Sequence, residues 1–434
     1  MAMDVLTAND VAGAYPASYY AATTKQLAPF PTLKGDIKAD VAVVGGGFTG
    51  LSAALHLAER GFDVVLVDAQ RVGWGASGRN GGQLGSGQRV EQDALEKMVG
   101  RDNAHLLWKF AEQSKDLVKE LVKKHNIECD LTPGIIHADH RKRYIPESRH
   151  YVEKLQNEYD YDQIRFVEQE ELRELVDSPA YYGGSVDMGA AHLHPLALAI
   201  GMADAAQKAG TRIFENSRVT QIDENAGRIS TAEGSVTAKH IVLGCNGYLG
   251  NLNGQTAKRV MPINNFIIAT EPLGSKLAPE VFKEKLAVAD SKFVVNYFRM
   301  SADNRLLFGG GESYGYKFPA DISGLVRKCM LEIFPQLEDA KIDYAWGGTL
   351  AITINRMPHF ARLGKNIYSA SGYSGHGVGM ATLAGQIMAD TIAGTAERFD
   401  VLANVPTHKF PGGIGLRTPL LILAMTYYAL RDKL

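Results

Sequence analysis

The residues of this sequence best suited to hold a charged ligand are Gly45-Gly46-Gly47-Phe48-Thr49-Gly50. They satisfy G-x-G-x-x-G, in which Gly45 makes a tight turn, Gly47 lets the backbone approach a pyrophosphate, and Gly50 packs a helix closely on a strand. Asp68 follows at close to the roughly 20-residue spacing that sets a carboxylate against a ribose. An acid there accepts ribose hydroxyls and repels a 2′-phosphate, so the motif points to a dinucleotide other than NADP. A second cluster, Gly73-Trp74-Gly75-Ala76-Ser77-Gly78-Arg79-Asn80-Gly81-Gly82, can wrap an extended ligand. Its backbone is permissive, Ser77 and Asn80 can donate hydrogen bonds, and Arg79 offers a planar cation. Taken alone, the first motif also fits a plain tight turn, and the second fits a surface loop.

Elements must place these loops. Residues 41–44 form a short apolar run suited to a strand buried on both faces, and the run stops at the glycines. Leu51, Ala54, Leu55 and Ala58 recur at helical spacing, and Gly61 can cap that helix. A second apolar run, 64–67, ends in Asp68 and completes a strand-helix-strand unit. Residues 1–36 read as an irregular aromatic arm packed over the domain that begins at the first strand. Residues 102–125, with Leu107, Phe110, Leu117 and Leu121 on one side, read as a surface helix of a second domain. A helix with Pro195 in its first turn starts after His194, which suits a helix start better than a catalyst. The 255–350 stretch alternates apolar and polar residues, as an antiparallel sheet would. Residues 367–370 and a helix from about 378 to 392 return to the first pattern.

The expected fold is therefore α/β. A discontinuous Rossmann-like dinucleotide-binding domain takes residues 37–100, 186–254 and 351–434, and an α+β substrate domain built on an antiparallel sheet takes 101–185 and 255–350. A length of 434 residues supports two such units.

The net charge of −2 leaves no basic surplus to screen a phosphate backbone, so nucleic acid is not an expected partner. Cys129, Cys245 and Cys329 are scattered, with no CxxC pair or zinc spacing, and read as reduced thiols of a cytoplasmic protein with no metal site. No export signal opens the chain. The apolar stretch 419–430 is shorter than the roughly 20 residues a bilayer crossing needs, which favours a buried helix or subunit contact over membrane docking.

Three segments carry a resemblance: DVAVVGGGFTGLSAALHLAERGFDVVLVDA, GWGASGRNGGQ and ASGYSGHGVGMATLAGQIMAD. In this order they resemble the D-amino-acid-oxidase-like superfamily of FAD enzymes. SYYAAT, AHLHPLALAIGMADAA, WGGTLAITINRMPHFARL and FPGG make the chain most similar to the gamma-glutamylputrescine oxidase branch. The resemblance implies FAD, with Gly45, Gly47, Phe48, Thr49, Gly50, Asp68 and Ala69 around its ADP part and Val219, in a strand over 218–222, against the adenine. It implies that Ala76, Ser77, Gly78, Arg79, Asn80, Gly81 and Gly82 run beside the ribityl chain and flavin, and it adds Gly247. Gly372, Gly375, His376, Gly377 and Val378 precede or open a helix whose free N–H groups would face the electron-rich edge of the reduced ring. Residues 349–357 lack the cysteine that attaches flavin in similar sarcosine oxidases, so noncovalent binding is implied.

The implied reaction takes a hydride from a carbon bearing an amine to flavin N5. It leaves an imine that is hydrolysed, with reoxidation by O2 to hydrogen peroxide or by another acceptor. Gamma-glutamylputrescine or a related small amine is the expected substrate. Imino-acid or N-alkyl amino-acid oxidation or dehydrogenation, and a flavin-binding subunit without chemistry, are the alternatives. Arg356 is the candidate for a substrate carboxylate, or else forms a structural salt bridge. Tyr297 and Arg299 share one face of a strand and could line the pocket or face solvent. Tyr373 and His376 complete the candidates, although His376 could equally bond nearby backbone. No general base is assigned, and the oligomeric state is left open.

Overall fold

The computed structural model describes residues 4–313 and 315–411. The C-terminal apolar stretch, 419–430, lies outside the described residues.

The strand beneath the first glycine loop runs over Gly35–Val44, longer than its apolar end predicts. Its polar first half is held by register with a neighbour, Gly35 facing Gly234 and Val43 facing Val242. The arm expected over 1–36 therefore ends inside the sheet. On its other side Val41 pairs with Val64 and Val44 with Val67, again in parallel. The full path is His359–Arg362, Ile367–Ser371, Gly234–Leu243, Gly35–Val44, Val64–Val67 and Arg212–Phe214. Side chains facing both ways along the Val41 and Val64 runs are buried, as a sheet covered on two faces requires.

The Phe48–Ala58, Pro195–Lys208 and Gly377–Ile392 helices cover one face. Phe48–Ala58 and Gly377–Ile392 approach closely because Gly385 has no side chain: a Cβ there would lie 2.6 Å from Ala53 N. Ser52 Oγ donates to Thr382 O at 2.6 Å across the same contact. The Arg101–Lys124 helix has the predicted amphipathic stripe but a different address. Leu107, Phe110, Leu117 and Leu121 share a core with Leu51 and Leu55, because the helix lies on Gly377–Ile392, while Trp108 on the same helix packs on Tyr159 and Tyr161, so the helix joins the first layer to the second unit.

Among the described residues the second sheet has nine strands, mostly antiparallel, with Ala287–Asp290 and Thr132–Ala138 pairing in parallel at its centre. It reaches into stretches expected in the first unit. Gln83–Leu84 and Gly183–His192 pair with each other within this sheet. Phe298 and Phe308 stack at 5.3 Å in its core, beside Phe334. The arm contributes the Tyr19–Thr23 helix, and Tyr20 is buried against Trp346 and His194, ring centroids 5.2 and 4.7 Å away. It thus seals the joint between the two sheets instead of lying over the first alone. His194 is the N-cap of the Pro195 helix, its Nδ1 accepting from Ala197 N at 3.2 Å, so it acts as a helix start.

Candidate active site

Gly45 takes φ +104, a region that favours glycine, and a Cβ on it would lie 2.9 Å from Gly244 O. Gly47 is the N-cap of the Phe48–Ala58 helix, and a Cβ there would meet Ser77 Oγ at 2.9 Å. The same hydroxyl accepts Phe48 N–H at 2.9 Å, which ties the second glycine cluster to the first. A Cβ on Gly50 would overlap the Gly45 carbonyl, so this glycine serves helix-on-loop packing and stands behind the wall. Asp68 accepts Gly46 N–H at 2.6 Å and Gln70 N–H at 2.7 Å. Burial pushes its carboxyl up to about 6, outweighing those two bonds.

The second cluster is a short turn closed by its own asparagine. Asn80 Nδ2 donates to Ala76 O and Ser77 O at 3.0 Å, and its Oδ1 accepts Gly82 N–H at 2.8 Å. The Tyr297 ring lies against Gly81, 2.6 Å from where a Cβ would stand, and its hydroxyl donates to Asn265. Gly78 and Gly82 turn towards protein, where a Cβ would overlap Gly73 O and Leu193 O respectively. Arg79 also lines the cavity, with much of its guanidinium held by protein and one nitrogen, Nη2, buried without a partner among the described residues. Its guanidinium donates to Trp74 O at 2.6 Å, Asp10 at 2.8 Å and Gly347 O at 3.2 Å, and stacks 4.3 Å over Trp74.

Arg299, by contrast, is not among the residues lining the cavity. It is 4% exposed and donates to Gly81 O at 3.0 Å and Leu193 O at 2.9 Å, so it braces the glycine cluster from behind. The Tyr373 ring reaches the cavity, but its hydroxyl shares a 2.7 Å hydrogen bond with Thr49 and donates to Ala370 O at 3.1 Å. Gly372, with φ +81, makes the turn and sits against Thr353, off the cavity wall. Val219 lies on the wall, although the neighbouring strand is Gln221–Asp223, so it precedes a strand instead of forming one.

One cavity of about 890 Å³ joins these loops. Gly45, Gly47, Phe48, Thr49, Asp68 and Ala69 line it at one end. Ala76, Ser77, Arg79, Asn80 and Gly81 also line it, as does Gly247. The turn contributes Gly375, His376, Gly377 and Val378, where the Gly377–Ile392 helix begins. Arg356 also lines it, its guanidinium 5.6 Å from the Phe293 ring centre. His376 has its pKa pushed down to about 3 by burial first, then by Arg89 and His137, so it is neutral in ordinary buffers.

Sequence reasoning missed Arg89, His137, Asn265 and Glu312, all of which line this cavity. Arg89 had a faint signal, as the one charged residue in the run NGGQLGSGQRV. The other three sit on sheet strands whose alternation carries no ligand information.

The residues present fit FAD. Glycines where side chains would intrude, a helix N-terminus facing the cavity, a carboxylate beside the first loop and one volume shared by all three loops are what an extended dinucleotide needs. Cys245 is on the wall, but burial first and Asp68 next push its thiol up to about 12, so it is not a nucleophile at neutral pH.

A family model described as FAD dependent oxidoreductase matches residues 40–391. A gamma-glutamylputrescine oxidoreductase of Escherichia coli is 44% identical over 97% of this chain and 99% of its own length. A probable oxidoreductase OrdL of Rhizobium meliloti is 42% identical over 96% of this chain and 97% of its own. Among solved structures, glycine oxidase from Geobacillus kaustophilus aligns with a TM-score of 0.73 at 20% identity, covering 86% of this chain and 99% of that one, which bears on the fold alone. The match over most of the chain, the two full-length relatives and a cavity built for a dinucleotide place this chain in the FAD dependent oxidoreductase family, as an enzyme that binds FAD.

Proposed function

We propose that this enzyme oxidises a C–N bond of an amine, with gamma-glutamylputrescine or a related acylated diamine as substrate. The products would be an imine, hydrolysed by water to an aldehyde, and hydrogen peroxide from O2. The observation that carries this reading is the single cavity in which the two glycine loops and the turn before the Gly377–Ile392 helix meet Arg356 and His376. The full-length likeness to a gamma-glutamylputrescine oxidoreductase supports that substrate.

Bound FAD supplies the hydride acceptor. Gly45 and Gly47 would leave room for its pyrophosphate, Asp68 would accept its ribose hydroxyls, and the 76–81 turn would run beside the flavin. The N–H groups opening the Gly377–Ile392 helix favour negative charge in the cavity. His376, held neutral, offers a hydrogen bond there without adding a cation. The Tyr297 ring over Gly81 supplies a flat wall, and Phe293 and Ile352 add apolar surface to the lining. Apolar lining that displaces the hydration of an incoming ammonium would favour the neutral amine, whose lone pair must be free for hydride to leave. Arg356 would take a substrate carboxylate.

Anaerobic mixing of the holoenzyme with gamma-glutamylputrescine, putrescine, pipecolate, sarcosine and D-amino acids tests this. Gamma-glutamylputrescine should bleach the flavin fastest, and aerobic turnover should yield one peroxide per oxygen consumed. Bleaching by pipecolate or sarcosine with none by gamma-glutamylputrescine would move the enzyme to imino-acid or N-alkyl amino-acid chemistry. A flavin that no amine bleaches would leave a binding protein.

A further inference from the structure

Arg89 is held in place by its neighbours yet holds nothing itself. Gln88 is buried and its Nε2 donates to Leu107 O at 2.8 Å, while Gly87 takes φ +67. Gln92, also buried, donates to Ala104 O at 3.2 Å. The loop is thus pinned to the Arg101–Lys124 helix on one side, and Arg89 faces the cavity on the other. Its guanidinium makes no hydrogen bond and no ion pair with any described residue. Arg89 is exposed in the unliganded protein and lines the cavity, and the protein around it still lowers its pKa, burial first and Arg356 next. Glu91 and Glu312 attract it from beyond ion-pair distance. His137 and His376, the imidazoles that feel its charge, have their pKa values pushed down and carry none of their own. A guanidinium so placed is open to an incoming anion, its planar fork matches a carboxylate, and a ligand that covers it without pairing it incurs the cost of its lost hydration.

Building on the amine-oxidase function proposed for this cavity, we infer that Arg89, acting with Arg356, is the anchor for a carboxylate carried by the amine substrate. It makes the enzyme selective for carboxylate-bearing amines over otherwise identical amines that lack the acid. An unfilled arginine would otherwise be left facing an apolar ligand, which is the repulsive half of the selectivity.

The test compares gamma-glutamylputrescine with gamma-aminobutyrylputrescine, the same molecule without its α-carboxylate, on wild-type, Arg89→Gln and Arg89→Lys holoenzymes. Losing one partner of a charge pair that bound substrate covers predicts a wild-type preference in kcat/KM of roughly 30-fold or more, falling to within about threefold in Arg89→Gln. A second readout is independent of turnover. Gamma-glutamylbutylamide keeps the amino-acid end and lacks the oxidisable amine, and its Kd, read from the shift in flavin absorbance, should rise by roughly 30-fold in Arg89→Gln. Arg89→Lys should fall between the two, because a point charge keeps the attraction and loses the fork. An unchanged preference and Kd in Arg89→Gln at full flavin occupancy overturns the assignment. If Arg89→Gln loses its flavin, Arg89→Lys decides, and a wild-type Kd there overturns it equally. Wild-type enzyme that ignores gamma-glutamylputrescine sinks the substrate reading instead, and the Kd of the butylamide still reports on Arg89.

Discussion

Replacing Gly47 by valine separates cofactor binding from folding. The backbone at Gly47 has φ −87 and ψ −176, an extended conformation open to valine, so the substitution adds no backbone strain. The added Cβ would stand 2.9 Å from Ser77 Oγ, the far end of a small side chain that can rotate away. Rotation gives up the Ser77 bond to Phe48 N–H, worth about 1 kcal/mol, so the unliganded protein should lose only about that much stability. The ligand meets a different obstacle. A branched side chain at the helix N-cap stands where a pyrophosphate must approach, with an overpacking cost of about 1–3 kcal/mol and the loss of an anion-to-helix interaction worth about 0.3–2 kcal/mol. Together these weaken FAD binding by one to three orders of magnitude or so. Thermal unfolding of deflavinated wild-type and Gly47→Val protein should give similar midpoints, while titration with FAD should show the lost affinity. Full flavin occupancy in purified Gly47→Val would refute the placement of the pyrophosphate at this loop.

Asp68 gives a pH prediction. With its carboxyl held up to about 6 by burial, the free protein is protonated there below that value, and accepting ribose hydroxyls requires the proton to leave. FAD affinity should therefore fall as pH drops through about 6, by up to about tenfold per unit, and Asp68→Asn should abolish that slope. A slope that persists in the variant assigns it elsewhere. Arg299→Gln removes the donors to Gly81 O and Leu193 O from a buried site, and should lower unfolding free energy by about 2–4 kcal/mol in denaturant titration. An unchanged unfolding midpoint with a raised KM would restore Arg299 to the substrate.

Sequence by itself determined the parts governed by local rules. The strand-helix-strand unit with Asp68 at its end, the helix start at His194 and the turn before the Gly377–Ile392 helix all come from spacing, caps and glycine conformation, which act over a few residues. The family was legible too, because three loops in a fixed order leave a pattern that no single loop leaves. Tertiary structure decided what each side chain faces. Arg79 and Arg299 read as available cations; Arg299 is committed to backbone carbonyls behind the glycine cluster, and Arg79 lines the cavity while donating to Trp74 O and pairing with Asp10, since a loop this poor in side chains needs donors to hold its shape. Leu107 to Leu121 gave a correct amphipathic stripe without its address, because a stripe specifies that a face is buried and not which surface buries it. Arg89 stands alone in its segment. Its role depends on the Gln88 and Gln92 anchors to the Arg101–Lys124 helix, and on a cavity shared with His376 far along the chain, which only the folded chain brings together.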